Sequence, residues 1–271
     1  MKFDLSQIKL SKNDIKRGLV LPKTCSKELA EFIGILTGDG YINFDNRKYS
    51  YIIEIAGDKT LDKNYLEKYV INLINKLFNI GPKIYIKKNQ NTMYVRILSK
   101  GIFNYLLTMG FKRGKKEQIS TPKWILDNKK FMVSFIKGLA DTDFSLMLSN
   151  KPSKISKYYP TISLKIKSRV LVKEVGHFLK RNGFKINVIK DEIKKDKRGY
   201  KDSVTSSLIL SGRENLERWM KEIRFRNKRH LNKYKEYIGS TSLKKKWDGR
   251  KCQHQQALLN PGHSAPKSYA S

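Results

Sequence analysis

Phe32-Ile33-Gly34-Ile35-Leu36-Thr37-Gly38-Asp39-Gly40 is an apolar run that closes on an acid. It recurs in altered form as Ile136-Lys137-Gly138-Leu139-Ala140-Asp141-Thr142-Asp143-Phe144. Gly34 and Gly38 stand four apart, so a helix carries both on one face. Glycine inside a helix costs about 1 kcal/mol relative to alanine. Close approach of a second helix backbone is the compensating reason. Gly138 and Thr142 repeat the spacing. If the two faces pack in parallel, Asp39 and Asp143 meet at one end, where both helix dipoles are negative. Two carboxylates and two such ends repel unless a divalent cation lies between them. Oxygen donors with room for water and phosphate suit Mg²⁺, or Mn²⁺ in its place. A metal presented to a polyanion in this way makes the chain a candidate phosphodiesterase.

Outward from each motif the same order of elements appears. After the first helix, capped by Ser26 with Glu28 in its first turn, alternation predicts strands over 41–44 and 51–56. Leu66, Tyr69, Val70, Leu73, Ile74, Leu77 and Phe78 mark a helix stopped at Gly81-Pro82. Strands over 83–87 and 93–98 follow, then a helix capped by Ser99. The second half repeats this: a helix over 135–143, strands over 145–148 and 161–167, a helix stopped by Gly183, strands over 185–190 and 204–210, and a closing helix through Leu216, Trp219, Met220 and Ile223. Both halves read αββαββα. Asp39 answers Asp143, and Lys83-Ile84 answers Lys185-Ile186, an offset of about a hundred residues, which is a duplicated domain rather than a solenoid unit. The domains expected are an N-terminal extension over 1–25, repeats over 26–120 and 121–240, and a disordered Gln/His/Pro/Ser-rich tail over 241–271.

Composition points to the ligand class. The 271 residues hold 57 Lys+Arg against 24 Asp+Glu, a formal net charge of +33, so a polyanionic partner is expected. The apolar fraction of 39% excludes a disordered basic tail. No apolar run approaches the roughly 20 residues that cross a bilayer, so no membrane is expected. Cys25 and Cys252 form no zinc cluster and suggest a reducing compartment, the cytoplasm or an organelle matrix. His177, His230, His254 and His263 lack metal-ligand spacing, and no phosphate-binding Gly-rich loop is present. Glu192-Ile193-Lys194 matches a nuclease fragment that so many lysines produce by chance. Met1-Lys2 and Ala270-Ser271 lack the terminal residues of protein splicing, so the chain reads as free-standing.

Strand alternation supplies a surface. Lys83, Tyr85 and Lys87 oppose Ile84 and Ile86; Tyr94 and Arg96 oppose Val95 and Ile97; Ser163, Lys165 and Lys167 oppose Ile162, Leu164 and Ile166. Each sheet then has an apolar face toward its helices and a basic face outward, suited to the DNA major groove.

These residues resemble the LAGLIDADG homing endonucleases. Gly34, Gly38, Asp39 and Gly40 match the motif, as do Gly138, Leu139, Asp141 and Asp143, while Thr121-Pro122-Lys123-Trp124-Ile125 resembles the linker of two-motif members. The resemblance covers roughly residues 26–240 and implies an α+β monomer of two pseudo-symmetric αββαββα repeats. It further implies saddle-like antiparallel sheets in the major groove and a central interface of two motif helices. It implies Mg²⁺-dependent double-strand cleavage of a long DNA site, linked to intron homing. Asp39 and Asp143 would bind metal together with Gly38 and Thr142, and Lys167 would be the basic catalytic residue, with Lys59 a weaker counterpart. Thr37 and Phe144 depart from the motif. Phe144 stands where Gly is usual, and Phe adopts positive φ less cheaply than Gly, so a disturbed second turn is expected. That departure favours the alternative, an inactive DNA binder or an RNA-splicing maturase bound to intron RNA.

Overall fold

The structure is a computed structural model that describes residues 2–111, 116–153, 156–194 and 203–242. Most of the expected tail, Cys252 included, and part of the basic linker lie outside the described residues.

The N-terminal segment holds α1 (Lys12–Lys16); the first repeat then runs α2 (Lys27–Asp39), β1 (Gly40–Asp45), β2 (Ser50–Asp58), α3 (Lys63–Tyr65), a π-wound turn (Leu66–Val70), α4 (Ile71–Phe78), β3 (Lys83–Ile86), β4 (Thr92–Leu98) and α5 (Lys100–Thr108). The second runs α6 (Lys123–Leu126), α7 (Lys129–Thr142), β5 (Phe144–Asn150), β6 (Tyr158–Ile166), α8 (Arg169–Arg181), β7 (Asn187–Lys194), β8 (Ser203–Ser211), α9 (Arg213–Glu222) and α10 (Lys228–Ser242). The sheets have the orders β1-β2-β4-β3 and β5-β6-β8-β7. Every neighbouring pair in them is antiparallel. The two sheets share one strand order, the arrangement a duplicated domain would have. The chain is α+β, as its alternating periodicities predict.

Local chemistry explains most element ends. Ser26 Oγ accepts from the Leu29 N–H at 3.0 Å, and Ser99 Oγ accepts from Ile102 N–H at 3.0 Å. Helix α4 stops earlier than its Gly81-Pro82 signal. Asn79 takes the left-handed conformation (φ 54°), which Asn tolerates better than most residues, and its N–H reaches the Asn75 carbonyl.

Residues 2–25 are docked on the first repeat. Asp14 is fully buried and accepts from Ser99 Oγ at 2.7 Å and from the Gly101 N–H at 3.0 Å. Phe3 meets Tyr105 and Trp124 edge to face.

Two expectations need correction. The closing helix α9 is followed by a further one, α10, whose Tyr237 is buried and whose Lys233 Nζ donates to the Leu146 carbonyl at 3.0 Å. Its apolar stripe, Leu231, Tyr234, Tyr237 and Ile238, stands in the sequence at helical spacing, hidden among basic residues. Ile84 and Ile86 are exposed rather than packed under helices, because β3 is the edge strand of its sheet.

Helices α2 and α7 form the centre. Leu29, Phe32, Ile33, Ile35 and Leu36 are buried on every side of α2, which is why that segment lacks a polar stripe. A Cβ at Gly34 would lie 2.0 Å from the Phe135 carbonyl oxygen, and one at Gly138 would lie 2.1 Å from that of Glu31. Residue numbers rise together along the contact, so the helices are parallel and their backbones touch.

Candidate metal site and nucleic-acid interface

Parallel packing delivers both motif acids to one end. Asp39 is the last residue of α2, and Asp143 caps α7 with its N–H on the Leu139 carbonyl. A Cβ at Gly38 would stand 2.0 Å from Thr142 Oγ1 and 2.8 Å from Asp143 Oδ2, so the two helix ends abut. Both aspartates are half-buried, open to solvent on one side. Their carboxylates, with the neighbouring backbone at Gly38 and Thr142, offer only oxygen donors, which fits a hard divalent cation. Among the described residues no cluster of three or more His, Cys, Asp or Glu could hold a metal. A cation here therefore depends on phosphate and water for its remaining ligands.

The two ends are not copies. In the first repeat the helix continues through Asp39, and Gly40 makes the capping N–H bond to Leu36. In the second the helix ends one residue earlier, at Thr142. Gly40 has φ −82° and ψ 153°, so space rather than backbone angle requires its glycine, a Cβ there lying 2.2 Å from the Leu36 carbonyl oxygen, and Phe144 is absent from the described positive-φ residues. Phe144 thus avoids positive φ, and the second turn differs from the first through the earlier helix end at Thr142. Its ring is buried and packs 4.9 Å from the Trp219 ring.

A polar network braces the second end. Asp141 is buried and its Oδ1 accepts from the Arg226 and Asn227 N–H groups at 2.8 and 2.9 Å. Burial outweighs those bonds and pushes the carboxyl up to about 7, with Glu31 adding repulsion. Arg229 Nη2 donates to the Asp141 and Thr142 carbonyls at 3.1 and 3.0 Å, placing a cation at the negative end of α7. Arg226 Nε reaches Glu31 Oε1 at 2.9 Å, and Asn227 Nδ2 donates to Asp62 Oδ1 at 2.7 Å. Thr37 occupies the position corresponding to Asp141 and instead bonds back to the Ile33 carbonyl at 2.8 Å. Sequence reasoning missed Arg226, Asn227 and Arg229, which sit in a basic run that reads as solvated surface.

The expected DNA residues fall on the open sheet faces. Lys83 pairs across the sheet with Arg96 and Tyr85 with Tyr94, so the four share a face, while Val95 and Ile97 are buried behind them. Arg96 pairs with Glu54 and lies 4.2 Å over the Tyr85 ring. Lys83, Tyr85 and Arg96 also line a cavity of about 310 Å³ with Lys16 and Arg17, two cations of the N-terminal segment that the strand pattern did not reveal. Lys87 lies one residue past β3. In the second repeat Ser163 and Lys165 stand opposite buried Ile162 and Leu164, and Lys165 Nζ meets Glu192 Oε2 at 2.7 Å. The Glu192 of the chance nuclease fragment is thus a lysine partner on this face.

Lys167 lies just beyond β6, with Nζ 3.7 Å from Glu117 Oε1. Together with Thr37, Asp143, Lys165 and Thr205 it lines a cavity of about 190 Å³. That cavity makes the Asp143 end continuous with the open face. Lys59 sits in the turn after β2, where its N–H bonds to Asn91.

Residues 130–239 match the family described as LAGLIDADG-like domain. An uncharacterized protein of Methanocaldococcus jannaschii is 29% identical over 178 residues, covering 65% of this chain and 62% of that protein. The replication factor C small subunit of the same organism is 25% identical over 214 residues, 79% of this chain and 10% of that protein. The chain therefore spans about three-fifths of the first relative's length and a tenth of the second's. Among solved structures, I-DmoI in complex with DNA and Mn is 20% identical at a TM-score of 0.49, covering 73% of this chain and 96% of that one.

Proposed function

Starting from a chain whose residues 130–239 match the LAGLIDADG-like domain family, we propose that the protein is a member of that family and a site-specific endonuclease that hydrolyses both strands of a long double-stranded DNA target as a monomer. The observation that carries the reading is the abutment of two glycine-packed helix ends that bring Asp39 and Asp143 together beside two open sheet faces. A protein that only bound DNA would gain nothing from placing anions toward phosphate.

The roles follow from position. Lys83, Tyr85, Lys87, Tyr94 and Arg96 on one face, and Ser163 and Lys165 on the other, hold the duplex and contact base edges and phosphates. Asp39 and Asp143, with backbone oxygen from Gly38 and Thr142, would hold Mg²⁺ or Mn²⁺. The metal, when bound, supplies an activated water and stabilises the leaving oxygen. Lys167, beside Asp143, stabilises charge that develops on the scissile phosphate. Arg229 offsets part of the negative potential at the Asp143 end and fixes the Thr142 carbonyl. Homing of an intron is the biological context in which such an activity would act.

The test is selection of cleaved sites from a randomised plasmid library in Mg²⁺. The wild-type protein should linearise a small set of long related sites. Asp39→Asn and Asp143→Asn should bind those sites and leave them intact. A wild-type protein that binds a site in Mg²⁺ yet never cuts it overturns the reading.

A further inference from the structure

Between the two repeats, on the side covered by helices, lies a cavity of about 590 Å³ lined by Asn64, Tyr65, Lys68, Tyr69, Lys137, Ile223, Arg224, Phe225, Arg226, Lys228 and Leu231. None of these residues belongs to a strand, so the cavity is separate from the open sheet faces. Five of its residues are cationic and none is acidic. Arg226 is committed to Glu31 and lies 4.5 Å over the Tyr69 ring, which fixes one wall. Lys68, Lys137, Arg224 and Lys228 have no ion pair to a described carboxylate. Four unpaired cations around one hollow repel one another, and an anion relieves that repulsion.

Two further features belong to this wall. Lys228, the first residue of α10, puts the start of that helix at the cavity rim, where Asn227 Oδ1 accepts from the Arg229 N–H at 3.1 Å. Arg224 has φ 67°, the left-handed region that favours glycine, and its N–H caps α9 through the Trp219 carbonyl at 2.7 Å. A residue other than glycine costs about 1 kcal/mol or more in that conformation.

We propose that this cavity is a second anion site, distinct from the DNA faces, that takes a phosphoryl group through Lys68, Lys137, Arg224 and Lys228. Two sources carry that chemistry: the backbone of a nucleic-acid strand lying over the helical side, or a free phosphate compound. The proposal does not depend on cleavage.

Calorimetric titration of the full chain with inorganic pyrophosphate, at about 0.15 M salt to suppress the general field, should show one saturable site. Lys137→Gln and Arg224→Gly should each weaken it about tenfold, the loss of one charge-assisted contact. Arg224→Gly should at the same time raise the melting temperature by relieving the strain, which separates ligand loss from misfolding. Lys129→Gln, an exposed charge at the start of α7, should leave binding unchanged. Displacement of a bound single-stranded oligonucleotide by pyrophosphate identifies a strand phosphate as the ligand; pyrophosphate binding without displacement identifies a free phosphate. Equal affinities in wild type, Lys137→Gln and Arg224→Gly, or an equal loss in Lys129→Gln, would overturn the proposal.

Discussion

At Gly34 a single methyl group would be placed 2.0 Å from a backbone oxygen of the facing helix, an atom that cannot rotate away. Alanine's helix propensity favours the substitution by about 1 kcal/mol. Overpacking of a rigid contact costs about 1–3 kcal/mol and here exceeds it. Gly34→Ala and Gly138→Ala should therefore lower the urea midpoint, and the double variant should separate the helix ends enough to weaken metal binding. Phe144 reverses the expectation drawn from its motif: Phe144→Gly, which restores the family-like residue, should lose about 3–5 kcal/mol by emptying the site against Trp219. Asp141 gives a pH signature. Its folded carboxyl titrates at about 7 against an ordinary value of 3.8, so the native chain binds that proton more tightly. Stability from this group is full below the ordinary value, falls as pH rises, and is gone above about 7. Asp141→Asn, measured in EDTA between pH 4 and 8, should remove that slope.

Among elements, the parts legible in sequence are those with local signals. Gly34, Gly38 and Gly138 announce close helix packing through spacing alone. Ser26 and Ser99 announce caps, and Val95, Ile97, Ile162 and Leu164 announce which strand face is buried. The Asp39–Asp143 pairing was legible because duplication places both at equivalent points. The bracing network was not: Asp141 finds its partners 85 and 86 positions away, at Arg226 and Asn227, and no periodicity reports such a contact. The apolar stripe of α10 was present but diluted by Lys and Arg. Ile84 and Ile86 alternated correctly, yet alternation does not say which strand is the edge. Arg229 belongs at this scale, since it joins α10 to the end of α7. Arg229→Gln should raise the Mg²⁺ concentration needed for half-maximal cleavage if its role is positional, and terbium luminescence titration reads the same shift without turnover. Arg229→Lys should not recover it, because an ammonium supplies the charge but not the two-carbonyl geometry.

Across the whole molecule, a net charge of +33 acts as a reservoir of counterion release. Binding should fall with salt at a log–log slope of about 0.9 per phosphate neutralised, and Lys165→Gln or Arg96→Gln should each lower that slope by about 1. Glu54 and Glu192 temper this, because each holds one of those cations in place before DNA arrives. Lys83 has no such partner among the described ion pairs, so Lys83→Gln should change the slope without the loss of orientation that the paired positions also suffer.

The segment from Arg226 to Arg229 returns from the second repeat to Glu31 and Asp62 of the first. The two halves are thus fastened twice, once through the linker and once through this clasp, with the α2–α7 seam between. Covalent continuity is then dispensable once folding is complete. A chain nicked by protease in the linker should remain a stoichiometric assembly on gel filtration, and breaking the clasp as well should weaken that association to what the α2–α7 seam alone supports.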